Sequence, residues 1–130
     1  MGKRLKERAV TVDLMITSPA KRAWKTCKAI AKVLGYAESK IKKDKNLYHA
    51  NEDDFLYVLQ SIKDPNAVVM IFSHNPGLTE FANALFRETI ANIPTTGVVA
   101  GKLNIDSWKE IDLGKGELIF FDFPKKTKSE

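Results

Sequence analysis

Apolar positions along the chain switch between two periods. Ala23, Trp24, Cys27, Ile30, Ala31 and Leu34 recur every three or four residues and predict an amphipathic helix from Ala20, stopped by Gly35. Leu78, Phe81, Ala82 and Leu85 form a second stripe of this kind, and Phe55, Leu56, Leu59 and Ile62 a third. Asn51 is placed to cap that third helix, whose first turn carries Glu52, Asp53 and Asp54 where carboxylates complement the helix dipole. Continuous apolar runs predict strands instead: Val12 to Ile16 as a buried strand, and Val68 to Phe72 as a central parallel strand covered by helices on both faces. Lys3 to Arg8 predicts the last turns of a helix, Ile41 to Leu47 a lysine-rich extended stretch, and Asp64-Pro65-Asn66 a turn. Val98 to Ile105 and Leu118 to Phe123, separated by Trp108 and Gly114-Lys115-Gly116, predict an antiparallel pair. The order β-α-β-α-β-α-β-β is that of an α/β sheet.

Composition narrows the classes. A chain of 130 residues suits one core, and its longest uncharged apolar run, Ala67 to Phe72, falls far short of the roughly 20 residues a membrane-spanning helix needs. Met1-Gly2-Lys3-Arg4 leads into charge rather than an apolar signal core, so a cytoplasmic protein with no membrane partner is expected. A single cysteine, Cys27, excludes an internal disulfide framework, and His49 and His74 have no zinc spacing; neither cofactor nor metal is expected. Cys27, Trp24 and Trp108 follow helix or strand periods and are expected in or near the core. The net charge of +5 favours anionic partners. Lysines and arginines gather at Lys3 to Arg8, Lys21 to Lys43 and Lys125 to Lys128, without the regular aromatic interleaving that stacks bases, which leaves nucleic acid a minor alternative.

Two strand-to-helix junctions concentrate polar groups: Thr17-Ser18-Pro19-Ala20-Lys21-Arg22 and Ser73-His74-Asn75-Pro76-Gly77-Leu78. Open α/β sheets bind ligands at this edge, where helix amides favour anions. A guanidinium one turn into a helix can grip two phosphoryl oxygens, which makes Arg22 a candidate clamp. A histidine in a strand-end loop, as His74 is, can donate to developing phosphoryl charge or serve structure alone.

These residues carry a resemblance. Ser18-Pro19-Ala20-Lys21-Arg22-Ala23 and His74-Asn75-Pro76-Gly77-Leu78-Thr79-Glu80 resemble the histidine phosphatase superfamily, in particular its small bacterial phosphohistidine phosphatase branch. Leu34-Gly35-Tyr36, Leu47-Tyr48-His49-Ala50, Ile93-Pro94-Thr95-Thr96-Gly97, Asp106-Ser107-Trp108 and Phe123-Pro124-Lys125 are similar to that branch in order and spacing, so the likeness covers nearly the whole chain. It implies a three-layer αβα, phosphoglycerate mutase-like fold with an open, mostly parallel sheet. A single domain is expected over 1–124, followed by a flexible basic tail at 125–130.

The resemblance also implies a metal-independent phosphatase acting on a phosphohistidine-containing protein or a small phosphorylated substrate. In it Arg22 and His74 stabilise the phosphoryl group, and Ser18, Asn75 and Thr95 contact substrate. The superfamily's nucleophile is a histidine in an Arg-His pair on its first strand, and this chain has no such pair. Met1 to Leu5 resembles the middle of the family's first helix, so an N-terminally truncated pattern is expected, inactive for want of its nucleophile. The alternative is a non-catalytic phosphate or phosphohistidine binding protein with a regulatory role. Ser73 stands where the family has glycine, and could crowd the turn or add a hydroxyl to the pocket. Near Tyr48-His49-Ala50 no carboxylate stands where acid-bearing relatives of the family carry a general acid, Glu52, Asp53 and Asp54 being assigned to the helix dipole, and His49 is expected on an exposed loop. With the first strand missing, an open sheet edge and self-association are expected.

Overall fold

The computed structural model describes residues 1–63 and 65–124; the expected tail at 125–130, and Asp64 of the predicted turn, lie outside them. In chain order the elements are α1 (Gly2–Glu7), β1 (Leu14–Thr17), α2 (Lys21–Leu34), β2 (Lys42–Lys43), α3 (Glu52–Gln60), β3 (Val69–Phe72), α4 (Gly77–Phe86), β4 (Val98–Leu103) and β5 (Gly116–Asp122). The helix stripes form as their periods predict. Gly35 ends α2 in the left-handed conformation at φ 75°, a backbone state that glycine enters without a Cβ penalty. Asn51 caps α3 in a reciprocal box, its side chain accepting from the Asp54 amide while the Asp54 carboxylate accepts from the Asn51 amide.

Strands β2, β1 and β3 pair in parallel in that order, and the period of two along each strand sorts their side chains to opposite faces. Leu14 and Ile16 join Val69 and Ile71 over Phe55, Val58 and Leu59 of α3 and Phe81 and Leu85 of α4. Met15 joins Met70 and Phe72 on the other face, against Leu5 of α1 and Ala23, Cys27, Ile30 and Ala31 of α2. The result is a mixed α/β sandwich with helices on both faces of a parallel sheet. Phe55, fully buried, stacks on Phe81 with ring centroids 4.8 Å apart. Cys27 is buried within α2's inner face, where loss of solvation pushes its thiol pKa up to about 12 and leaves it an apolar filler. Trp108 packs at the edge of the core with its indole N–H donating to the Asn66 carbonyl.

Two expectations need correction. The lysine-rich stretch from Ile41 to Leu47 yields only the two-residue β2, flanked by short 3-10 turns. Strand β3 is not buried on both sides: Val68 just before it is 42% exposed, and Val69, Met70 and Ile71 are only half-buried. The reason is that β4 and β5, antiparallel as expected, form a separate two-stranded sheet, and among the described residues β3 pairs with β1 alone.

That pair is attached by side chains rather than by a shared ladder. Val98 and Phe120 join the α1–α2 core and Leu103 joins the α3–α4 core. The ring of Phe86 lies so close over Gly101 and Gly116 that a Cβ at either position would enter it. Arg4 of α1 completes the attachment, donating to Asp122 Oδ1 at 2.8 Å and to the carbonyl of Phe123 at 2.7 Å. Among the described residues no helix is long and apolar enough to cross a membrane, and no group of three or more His, Cys, Asp or Glu side chains could hold a metal ion.

Candidate functional site

Parallel pairing brings the two junctions together. Thr17 lies opposite Phe72, and the Ser18 amide donates to the Phe72 carbonyl at 2.8 Å, so β1 and β3 leave the sheet side by side. Each then turns into a helix, α2 from Lys21 and α4 from Gly77, which sets two helix N-termini at one edge of the sheet. Across this edge His74 Nε2 lies 2.8 Å from Ser18 Oγ. The same oxygen accepts from the Ala20 amide at 3.3 Å, and Ser18 is wholly buried. A hydroxyl so enclosed positions the imidazole; it cannot attack a group arriving from solvent.

His74 is half-buried. Loss of solvation first, and the charge of His49 second, lower its pKa below the usual 6.5. Tyr48 presents its ring edge-on to His74 with centroids 5.8 Å apart, and stands 4.1 Å from the ring of His49, which is exposed as expected. Ser73 does not crowd the turn: its hydroxyl donates to the Leu47 carbonyl at 2.6 Å and ties the end of β3 to the loop that carries Tyr48 and His49. Gly77 fixes the same loop from the other side, since its backbone sits against the Ala50 carbonyl where no Cβ would fit. Sequence reasoning missed Tyr48 and Gly77 as positioning residues, and gave Ser73 only as a side chain that could crowd the turn or add a hydroxyl to the pocket. The only available signal was the glycine opening a helix directly after Asn-Pro, where close approach of backbone is one of few reasons to give up helix propensity.

The other candidates divide. Arg22, in the first turn of α2, is exposed and makes no hydrogen bond or ion pair among the described residues, so its guanidinium is available to a ligand. Asn75 is committed to structure: its Nδ2 donates to the Ile93 carbonyl at 2.7 Å and to Asn92 Oδ1 at 3.1 Å, while its Oδ1 accepts from Thr79 Oγ1 at 2.6 Å. Thr79 Oγ1 in turn accepts from the Ile93 amide at 3.0 Å, which locks the 92–93 segment onto α4. Thr95 is exposed, its carbonyl accepts from Thr96 Oγ1 at 2.7 Å, and no contact joins it to Ser18 or His74. This edge thus carries the ends of β1 and β3, the first turns of α2 and α4, an imidazole held by a buried hydroxyl, and Arg22 exposed in the first turn of α2.

No family profile and no curated protein matches the chain. Solved structures do, and they define the class of fold as that of the phosphohistidine phosphatases, the three-layer phosphoglycerate mutase-like sandwich. The chain is similar to a protein from Nakamurella multipartitia assigned as the phosphohistidine phosphatase SixA, with a TM-score of 0.77 at 15% identity over 96% of this chain and 78% of that one. It is similar also to the protein histidine phosphatase SixA complexed with tungstate, with a TM-score of 0.76 at 20% identity over 92% of this chain and 74% of that one. An Agrobacterium tumefaciens protein assigned as SixA gives a TM-score of 0.74 at 21% identity, covering 95% and 75% of the two chains.

Proposed function

We propose that this chain is the phosphoryl-binding body of a phosphohistidine-type protein phosphatase of the histidine phosphatase superfamily, residues 1–124 acting as one unit on a cytoplasmic phosphoprotein. The observation that supports the reading is the 2.8 Å pairing of His74 with Ser18, which links two strand ends at the edge where two helices begin. Arg22 clamps two phosphoryl oxygens, and His74, neutral at rest, takes up a proton as the dianion arrives and donates to it. Ser18 holds the imidazole, Asn75 holds the loop behind it, and Thr95 borders the substrate.

In the route that the superfamily resemblance implies, an unprotonated imidazole attacks phosphorus as the P–N bond breaks, the departing imidazole takes up a proton, and water then attacks the new phosphohistidine. In this chain Nε2 of His74 is engaged by Ser18, His49 lies in an exposed loop, and no Arg-His pair exists. On this reading the described residues hold the phosphoryl group and none of them is placed to supply the attacking imidazole. This also favours the second reading, a non-catalytic regulator that shields or presents a phosphohistidine. Phosphorus NMR of a synthetic phosphohistidine peptide mixed with the protein tests both: the peptide resonance shifts and no inorganic phosphate accumulates. Release of phosphate would refute the missing nucleophile, and an unshifted resonance would refute the site.

The unpaired edge of β3, with half-exposed Val69 and Ile71 beside it, supports self-association of copies through that strand. Sedimentation velocity should show concentration-dependent dimers; a single monomeric species at every concentration contradicts it.

A further inference from the structure

We propose that the face formed by the lysine stripe of α2 and Lys43 of β2 around Trp24 docks an acidic protein surface, so that the phosphohistidine partner is a domain whose phosphorylated residue is ringed by carboxylates. The inference rests on the phosphohistidine reading above and adds the class of partner to it.

Charge in this chain is unevenly placed. Between residues 21 and 45 nine lysines and arginines face only Glu38 and Asp44, a local +7 in a chain whose total is +5. Lys21, Lys25, Lys28 and Lys32 follow one another at intervals of four, three and four, which aligns them along one side of α2. At 1.5 Å per residue that stripe runs about 16 Å, several times the reach a single phosphate requires. None of these lysines has a carboxylate partner among the described residues; the ion pairs the structure shows there, Arg4 and Arg8 to Asp122, belong to the other end of the molecule.

A lysine stripe alone is most often a solvated helix face. Here one lysine of the stripe, Lys28, and Lys43 of β2 meet at an aromatic ring. The ammonium of Lys43 lies 4.2 Å from the Trp24 ring centroid and that of Lys28 lies 5.0 Å from it, two like charges gathered on one indole. Lys43 is the register partner of Thr17, the residue before Ser18, so the cluster begins at the margin of the phosphoryl site and extends away from it along α2. Lys42, its neighbour on the strand, belongs to the opposite face. Cations already held in place lose less freedom when a partner docks, which favours a defined complementary surface over diffuse counterions. A nucleic acid fits less well, because the Trp24 ring at the centre of the patch already carries two ammonium groups that compete with a stacking base.

The test uses two synthetic peptides of equal length carrying a non-hydrolysable phosphohistidine analogue, one flanked by Glu and Asp, the other by Gln and Ser. Binding to the full chain is read by fluorescence anisotropy at low and at moderate salt, with tungstate binding measured separately. The acidic peptide should bind about tenfold tighter at low salt, and the advantage should shrink as salt screens exposed charge. In Lys28→Gln/Lys43→Gln protein, verified as folded by circular dichroism, the preference should fall to about threefold or less, as loss of two facing charges implies. Equal affinity for the two peptides, a preference unchanged in the double variant, or tighter binding of a single-stranded oligonucleotide of the same charge would overturn the proposal. If tungstate binds but the acidic preference is absent, this inference alone falls; if tungstate does not bind, the phosphoryl-site reading falls with it.

Discussion

Nε2 of His74 and the buried hydroxyl of Ser18 lie 2.8 Å apart, a contact that, with the Ser18 amide on the Phe72 carbonyl, fastens the end of β3 to the loop leading into α2. A hydroxyl with no solvent exposure that also accepts from the Ala20 amide has a single geometry available, so the imidazole it holds is oriented before any ligand arrives. Ser18→Ala removes both bonds. With a net worth of about 1 kcal/mol each, the substitution should weaken tungstate binding five- to tenfold and lower stability by about 1–2 kcal/mol. Calorimetric titration and chemical denaturation read the two effects.

Arg22 calls for the opposite pattern, because nothing in the fold depends on its side chain. Arg22→Ala should leave the melting temperature unchanged and cut tungstate affinity by about ten- to a hundredfold, the range expected for a charge-assisted pair. Arg22→Lys should recover only part of the loss, since an ammonium cannot span two oxygens as a guanidinium does. Full recovery by lysine would show that charge alone is used there.

Burial, and then the charge of His49, hold the pKa of His74 below 6.5. A folded value beneath the unfolded one means that the folded state favours neutral imidazole. Its contribution to stability is complete above 6.5 and is lost as pH falls from 6.5 through the folded value. A bound dianion reverses the preference, so tungstate affinity should rise as pH falls from the bound-state pKa to the free-state value, and level off below it. His49→Gln removes the second cause and should move the His74 titration upward. Proton NMR of the two imidazole rings follows all of this; a His74 midpoint at or above 6.5 would contradict the assignment.

Gly77→Ala places a methyl group against the backbone carbonyl of Ala50, which cannot swing aside as a side-chain end can. The variant should lose about 1–3 kcal/mol, the usual cost of overpacking, and should displace the loop bearing Tyr48 and His49. A melting temperature equal to that of the parent would mean the contact relaxes freely.

The helices were legible because their signals are local. The stripe from Ala23 to Leu34, the Gly35 stop and the Asn51 cap each depend on neighbours within four residues, and each forms as read. The Ser18 and His74 junctions were legible for a related reason, since strand ends running into helices mark the ligand edge whatever the sheet order. Sheet order itself depends on partners far along the chain. Val68 to Phe72 has the composition of a strand covered on both faces, yet composition could not show how exposed it would be with β4 and β5 in a separate sheet and, among the described residues, β1 as the one partner of β3. The tether from Ser73 to Leu47 spans 26 residues, and the gathering of Lys28 and Lys43 on Trp24 joins a helix to a strand, so neither leaves a trace in local pattern.

The central claim is that Arg22 and His74 act on one anion. Side-chain NMR during a tungstate titration follows the Arg22 Nε–H and the His74 ring in the same sample. A shared site predicts that both signals move with a single dissociation constant and that the His74 response collapses in Arg22→Ala. Signals that fit two different constants, or a His74 response that survives loss of the guanidinium intact, would contradict it.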